Sequence, residues 1–170
     1  MDKVQQSTAT YLPPGAGESL WILGDQVTFK ADGERDGLTL FVSTIPSGGG
    51  PPPHIHYQQT EAHFVLEGPF SFLSGDTWFE AETGSCVIIP RGVLHTFRNN
   101  GSAPGRLVST NSMPGSHERW FRHVGVPITD RATFTPPTAA PDMADVLASA
   151  ADEDIHMMPP DAPPSGSSGH

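Results

Sequence analysis

The sequence predicts an all-β barrel with a short helix and a C-terminal extension. Three observations carry this. Short apolar stretches with strand alternation recur from Leu20 to Asn111, each bounded by Gly, Pro, Asn or Asp. The chain holds 18 glycines and 18 prolines in 170 residues, a composition that breaks helices and punctuates strands. Helical patterning begins only after Met113-Pro114-Gly115.

The expected organisation is an N-terminal arm over 1–19, a barrel over 20–112, a helix and extension packing on the barrel over 113–158, and a flexible low-complexity tail over 159–170. Leu20 to Ile22 and Val27 to Phe29 have strand character, with a break or bulge at Gly24-Asp25. Asp32 to Gly37 reads as a polar turn, and Leu38 to Pro46 as a strand. Gly48-Gly49-Gly50-Pro51-Pro52-Pro53 cannot be helical. His54 opens the next strand, and Glu61 to Glu67 continues after a turn. Phe70 to Ser74 and Thr77 to Glu82 pair around Gly75-Asp76. Cys86 to Ile89, Val93 to Arg98 and Arg106 to Asn111 close the barrel. Ser116 to Gly125 reads as one helix, capped by Ser116, with Trp120, Phe121 and Val124 on the barrel. Pro127 to Pro141 is extended, and Asp142 to Asp154 is a second short helix with Met143, Val146 and Leu147 as its apolar stripe.

The formal net charge of −10 argues against nucleic acid and against an anionic membrane surface as partners. Six of the acidic residues follow Arg131, beyond which there is no Lys or Arg, so this end reads as a solvated face. A single cysteine, Cys86, forms no internal disulfide and is expected as inert core. Residues 1–20 hold no apolar run of signal-peptide length and no stretch approaches a membrane span, which predicts a cytoplasmic protein.

The chemistry concentrates between Gly48 and Asn99. Side chains alternate across a strand, so His54 and His56 share one face, and Glu61 and His63 share a parity in the same way. His95 comes from a separate strand. Three imidazoles and a carboxylate converging from opposed strands make a facial metal site with open positions. The donor set suits one divalent Fe, Mn, Ni, Co, Cu or Zn ion per chain and singles out none. His63 is either a hydrogen-bonded wall histidine or an acid/base group facing the pocket. His117 and His123 are expected as surface or packing residues. Among the strand aromatics Phe70, Phe72, Trp78, Phe79 and Phe97, most are core, and any can reach a ligand at the mouth.

Gly48, His54, His56, Glu61 and Gly68, followed by Gly84, Pro90, Gly92, His95 and Asn99, resemble the two motifs of the cupins with every fixed position filled. The motifs cover 48–99, and strand spacing extends the likeness over 20–112. The resemblance implies a double-stranded β-helix (a jelly-roll barrel), usually a homodimer, with His54, His56, Glu61 and His95 as metal ligands. Glu118 to Phe121, followed by Gly125-Val126-Pro127, resembles more weakly the region after the barrel in single-domain quercetinase-like cupins. That likeness implies ring-opening dioxygenation of a flavonol- or polyketide-like small molecule, with Glu61 taking the substrate proton. His63 departs from the quercetinase-like pattern. It opens a non-oxidative alternative, a cyclase, dehydratase, isomerase or lyase using His63 and Glu61 as acid and base. A third class is a small-molecule binding protein without turnover.

Overall fold

The structure, a computed structural model, describes residues 8–158. Residues 1–7 of the expected arm and the expected flexible tail over 159–170 lie outside the described residues. The strands are β1 (Ser19–Ile22), β2 (Asp25–Ala31), β3 (Leu40–Ile45), β4 (His54–Ile55), β5 (Glu61–Glu67), β6 (Phe70–Ser74), β7 (Thr77–Ala81), β8 (Cys86–Ile89), β9 (His95–Asn99), β10 (Gly105–Asn111), β11 (Val126–Pro127) and β12 (His156–Met157). The helices are α1 (Gly33–Asp36), α2 (Ser116–Val124) and α3 (Met143–Asp152).

Two antiparallel sheets form the barrel, in the orders β11-β1-β2-β3-β10-β5-β8 and β12-β4-β9-β6-β7. The strand spacing predicts a barrel, and the arrangement is the jelly roll that the cupin resemblance implies. Alternation sets the inward face of each strand. On β3 it turns Phe41, Ser43 and Ile45 inward, and on β10 Leu107, Ser109 and Asn111. The inward face of β10 runs from apolar Leu107 to polar Ser109 and Asn111, while on β3 the polar Ser43 lies between Phe41 and Ile45.

One apolar cluster joins Ile45, Val65, Phe70, Phe72, Val87, Ile89 and Leu107 from both sheets. A second joins Leu20, Ile22, Val27, Phe29 and Phe41 to Trp120 and Phe121 of α2 and Val146 and Ala150 of α3. The polar end of the barrel lies between them: the His117 ring stacks on Phe41, and the His63 ring meets Phe72 and Phe97.

Gly48, Gly68, Gly84 and Gly92, the motif glycines, all have positive φ. Gly50 is demanded for a second reason. A Cβ there would lie 2.0 Å from the Phe97 carbonyl oxygen, so the connector passes against β9 only without a side chain. Asn99 is structural: its amide donates to the Ile45 and Ala103 carbonyls at 2.9 Å, and its Oδ1 accepts from Gly101 N–H at 2.8 Å.

The structure differs from the sequence expectations at several points. β1 and β2 meet in a two-residue hairpin with Leu23 at φ 51° and Gly24 at φ 109°, rather than at a bulge. Asp32 to Gly37 forms a helical turn, because the Asp32 carboxylate accepts from Glu34 and Arg35 N–H. Ser116 begins α2 but does not cap it; Gly115 does, without a side-chain bond. On α3, Val146 and Ala150 are buried while Met143 and Leu147 are exposed, so the buried stripe is narrower than the apolar residues suggest. Cys86 is exposed, not core. Val87 and Ile89 take the inward positions of β8, and the outer face of this edge strand is uncovered. The extension also adds a strand to each sheet, β11 on β1 and β12 on β4. The acidic end is not all solvated, since Asp154 is only 3% exposed.

Candidate metal centre

Four side chains meet at the polar end of the barrel. His54 and His56 flank Ile55 with both imidazoles buried, β9 places His95 directly opposite His54, and Glu61 begins β5 with its carboxylate inward. One ligand atom from each of His54, His56, Glu61 and His95 lies within 4.8 Å of the others, and all four residues are buried. The sequence reading names these same four.

Hydrogen bonds set the tautomers. His54 Nδ1 lies 2.9 Å from the Pro52 carbonyl oxygen, His56 Nδ1 2.7 Å from that of Asp154, and His95 Nδ1 2.9 Å from that of Val93. A carbonyl only accepts, so each Nδ1 carries a proton and Nε2 is the atom each ring turns to the centre, its lone pair available whenever Nε2 is unprotonated. His56 Nε2 is buried without a hydrogen-bond partner, although it lies 3.2 Å from Glu61 Oε2. His95 Nε2 lies 3.1 Å from the same oxygen. Lone pairs that converge on a carboxylate oxygen call for a cation among them. This donor set fits a divalent transition metal.

Electrostatics agree with a site poised for a cation. Burial, together with the neighbouring His95, pushes the His54 pKa well below the usual imidazole range, so this ring is neutral. Burial also opposes charge on His56, yet the adjacent Glu61 outweighs it and raises that pKa. Burial would raise the Glu61 pKa, but the imidazoles around it, His117 first and then His56 and His63, outweigh burial and hold it well below the usual range. The carboxylate is therefore ionised.

Two further histidines reach Glu61. His63, predicted to share its face, places Nε2 3.4 Å from Oε2, and Nδ1 bonds Ser109 Oγ at 2.9 Å. This Nε2 has no hydrogen-bond partner. His117, expected as a surface or packing residue, is 5% exposed and places Nε2 3.0 Å from Glu61 Oε1. Only its position four residues before Phe121 on the apolar side of α2 signals burial. His123 lies on the exposed part of the helix, paired with Asp145.

A cavity of about 130 Å³ opens onto the cluster. Its wall includes His54, Glu61, His63, Ser109 and His117, the aromatics Phe41, Phe97, Trp120 and Phe121, and Ile155 and Met157 from the extension. Asp25 lines it from β2 without a side-chain hydrogen bond, and burial raises its pKa to about 7. Among the described residues, no Lys or Arg lines the cavity. Of the aromatics singled out in the sequence, Phe97 reaches it, Phe70 and Phe72 are core, and Trp78 and Phe79 face outward.

Residues 41–111 match the family model for the cupin domain. The fold is the cupin fold. Germin-like protein 5-1 of Oryza sativa subsp. japonica is 36% identical over 87 residues, 47% of this chain and 39% of that protein. The rhicadhesin receptor of Pisum sativum is 33% identical over 100 residues, 55% of this chain and 43% of that protein. The chain therefore spans about two fifths of the length of these relatives. KdgF from Halomonas sp. superposes with a TM-score of 0.55 at 14% identity, over 63% of this chain and 94% of that one. The Schizosaccharomyces pombe Cnp3 cupin domain superposes with a TM-score of 0.52 at 19% identity, over 65% of this chain and 73% of that one. These superpositions bear on the fold alone. The cupin fold carries a cluster of His54, His56, Glu61 and His95 that can hold a metal.

Proposed function

We propose that this cupin is a metal-dependent enzyme acting on a small aromatic molecule with an enolic or phenolic oxygen, and that its reaction is ring-opening dioxygenation resembling that of quercetinase. The observation that carries the substrate class is the cavity wall: largely aromatic and aliphatic, without Lys or Arg among the described residues, and ending on an ionised carboxylate among imidazoles. A small polyanion would need wall cations to replace its hydration. An engineered cavity of about 150 Å³ holds benzene, so the enclosed space here accepts one ring, with the rest of a larger substrate extending through the mouth.

His54, His56, Glu61 and His95 would hold the metal, which when bound supplies Lewis acidity toward the substrate oxygen and an electron path to dioxygen. Glu61 would take the hydroxyl proton as the substrate docks, a role supported by its presence in the cavity wall. Phe41, Phe97, Trp120 and Phe121 hold the ring and exclude water.

A second reading is favoured by His63, whose buried Nε2 lacks a partner and whose side chain lines the cavity. There His63 and Glu61 pass a proton between two substrate atoms without oxygen being consumed. The protein is taken further as a cytoplasmic homodimer, supported for the dimer by exposed Phe64, Leu66 and Ile88 on the outer face of β5 and β8; light scattering and cell fractionation test both.

Elemental composition of the purified protein, followed by oxygen uptake with flavonols and simpler phenols, tests the reading. Substrate-dependent uptake with loss of the flavonol chromophore supports dioxygenation. Turnover that persists under argon and is lost in His63→Ala with metal retained would establish the second reading. Saturable binding without product would make the protein a binding module.

A further inference from the structure

We infer that His117, on α2 and outside both sequence motifs, is a positioning residue that presents one Glu61 oxygen, Oε2, to the metal by holding the other. The inference rests on the metal reading of the centre but requires no particular substrate or reaction.

Bond directions come first. Met113 N–H donates to Asn111 Oδ1 at 3.0 Å, which fixes the orientation of the Asn111 amide. Its Nδ2 then faces His117 Nδ1 at 2.9 Å and donates to it. His117 Nδ1 is therefore the acceptor, and the ring proton sits on Nε2, which points at Glu61 Oε1 at 3.0 Å. This is the opposite tautomer to those of His54, His56 and His95, whose Nδ1 atoms face carbonyl oxygens. With Nε2 protonated and Nδ1 accepting from Asn111, the His117 ring has no free lone pair for a metal, and it does not belong to the four-residue ligand group. Its chemistry here is donation.

The two oxygens of Glu61 are thereby distinguished. Oε2 lies 3.1 Å from His95 Nε2 and 3.2 Å from His56 Nε2, at the centre of the ligand atoms. Oε1 is turned away to His117. A carboxylate with one oxygen engaged by a fixed donor binds a cation through the other, which preserves open coordination positions; released, it can swing to bind through both.

The helix is held in register for this task. Glu118, beside His117, is fully buried and accepts from Gly33 N–H at 2.8 Å and from Thr39 Oγ1 at 2.9 Å. The His117 ring is packed between Phe41, at 5.8 Å, and Phe121, at 5.4 Å.

Two substitutions separate the hydrogen bond from the packing. His117→Phe keeps a ring against Phe41 and removes the donor. His117→Gln loses the ring but places an amide N–H near the position of Nε2. The full-length protein is freed of metal and titrated with Co(II) against a competing chelator, and the visible ligand-field bands are recorded; thermal unfolding confirms that each variant is folded. His117→Phe is expected to bind Co(II) at least about tenfold more weakly, with bands shifted toward higher coordination, while His117→Gln stays near wild type in both readouts. If His117→Phe does not fold, Asn111→Leu, which frees the ring tautomer without altering the ring, carries the same expectation. Wild-type affinity and bands in the donor-less variant, or equal damage in the Gln variant, would overturn the assignment. A wild-type protein that shows no saturable Co(II) binding would overturn the metal centre itself, a different result from variants that respond alike.

Discussion

Replacing Asp154 should weaken both the fold and the metal centre, because one residue of the extension ties itself to the His56 turn in three ways. Its carboxylate accepts from Tyr57 N–H at 3.0 Å and from Gln58 N–H at 2.8 Å, and its carbonyl accepts from His56 Nδ1–H at 2.7 Å. It does this with φ at 63°, a conformation that Asp and Asn tolerate better than Ala. Asp154→Ala removes both carboxylate bonds. Hydrogen bonds to a charged group contribute about 1.5–3 kcal/mol each, and partial rewetting of an exposed turn halves the sum of the two, giving about 1.5–3 kcal/mol. The left-handed backbone adds about 1 kcal/mol for Ala. Asp154→Asn keeps the backbone tolerance and one acceptor, so about half of this loss is expected. The His56 ring is then less firmly oriented, and metal affinity should fall about tenfold in the Ala variant. Urea unfolding of the metal-free protein gives the first quantity, and chelator competition the second. An Ala variant as stable as wild type and equal to it in metal affinity would refute the argument that the extension orients His56.

Thr39→Val should cost about 1–3 kcal/mol in urea unfolding, since Thr39 is fully buried, donates to Glu118 and accepts from Gly115 N–H; an unchanged midpoint would show that α2 is held otherwise. Gly50→Ala should cost about 1–3 kcal/mol from backbone conformation alone, and more from contact with the Phe97 carbonyl, read as a lowered melting temperature. Asp25 has a folded pKa of about 7, above its usual 3.8, so the folded state holds this proton more tightly than the unfolded one. Its contribution is intact below the usual value and is lost as pH rises from about 4 through 7. Asp25→Asn should therefore flatten the decline in stability across that window, and parallel pH profiles for the two proteins would count against a carboxyl whose proton is held by partial burial.

Much of the barrel was legible because its signals are local. The strands alternate, and the turn between β6 and β7 carries Gly75-Asp76. The positive-φ glycines stand at the motif positions. His54 and His56 share a face through strand parity alone, and Glu61 and His63 do so in the same way. What escaped depends on contacts between distant segments. His117 carries no strand parity, and on a helix nine residues long a histidine beside Trp120 and Phe121 reads as packing. Its partner Glu61 lies in a different element, and nothing near it in sequence names that pairing. Asp154 sits in an acidic run, which reads as solvated until β12 is seen beside β4. Cys86 belongs to an apolar run whose outer half has no cover, and only the edge position of β8 reveals that.

The placement of the cluster explains why so much of the chain outside the motifs serves it. A buried carboxylate facing four imidazole nitrogens could stabilise itself by shifting to whichever is nearest. What prevents this is that the rings are committed on their far side. Pro52 and Val93 supply carbonyl anchors from within the motif region, but the anchor for His56 comes from Asp154 and that for His117 from Asn111. Ser109 bonds His63 from the same strand as Asn111. The motifs thus provide the four candidate ligands, whereas the inward polar end of β10 and the C-terminal extension determine the direction in which their neighbours donate. Substitutions at these outer anchors should alter how the centre binds a metal while leaving all four ligands in place.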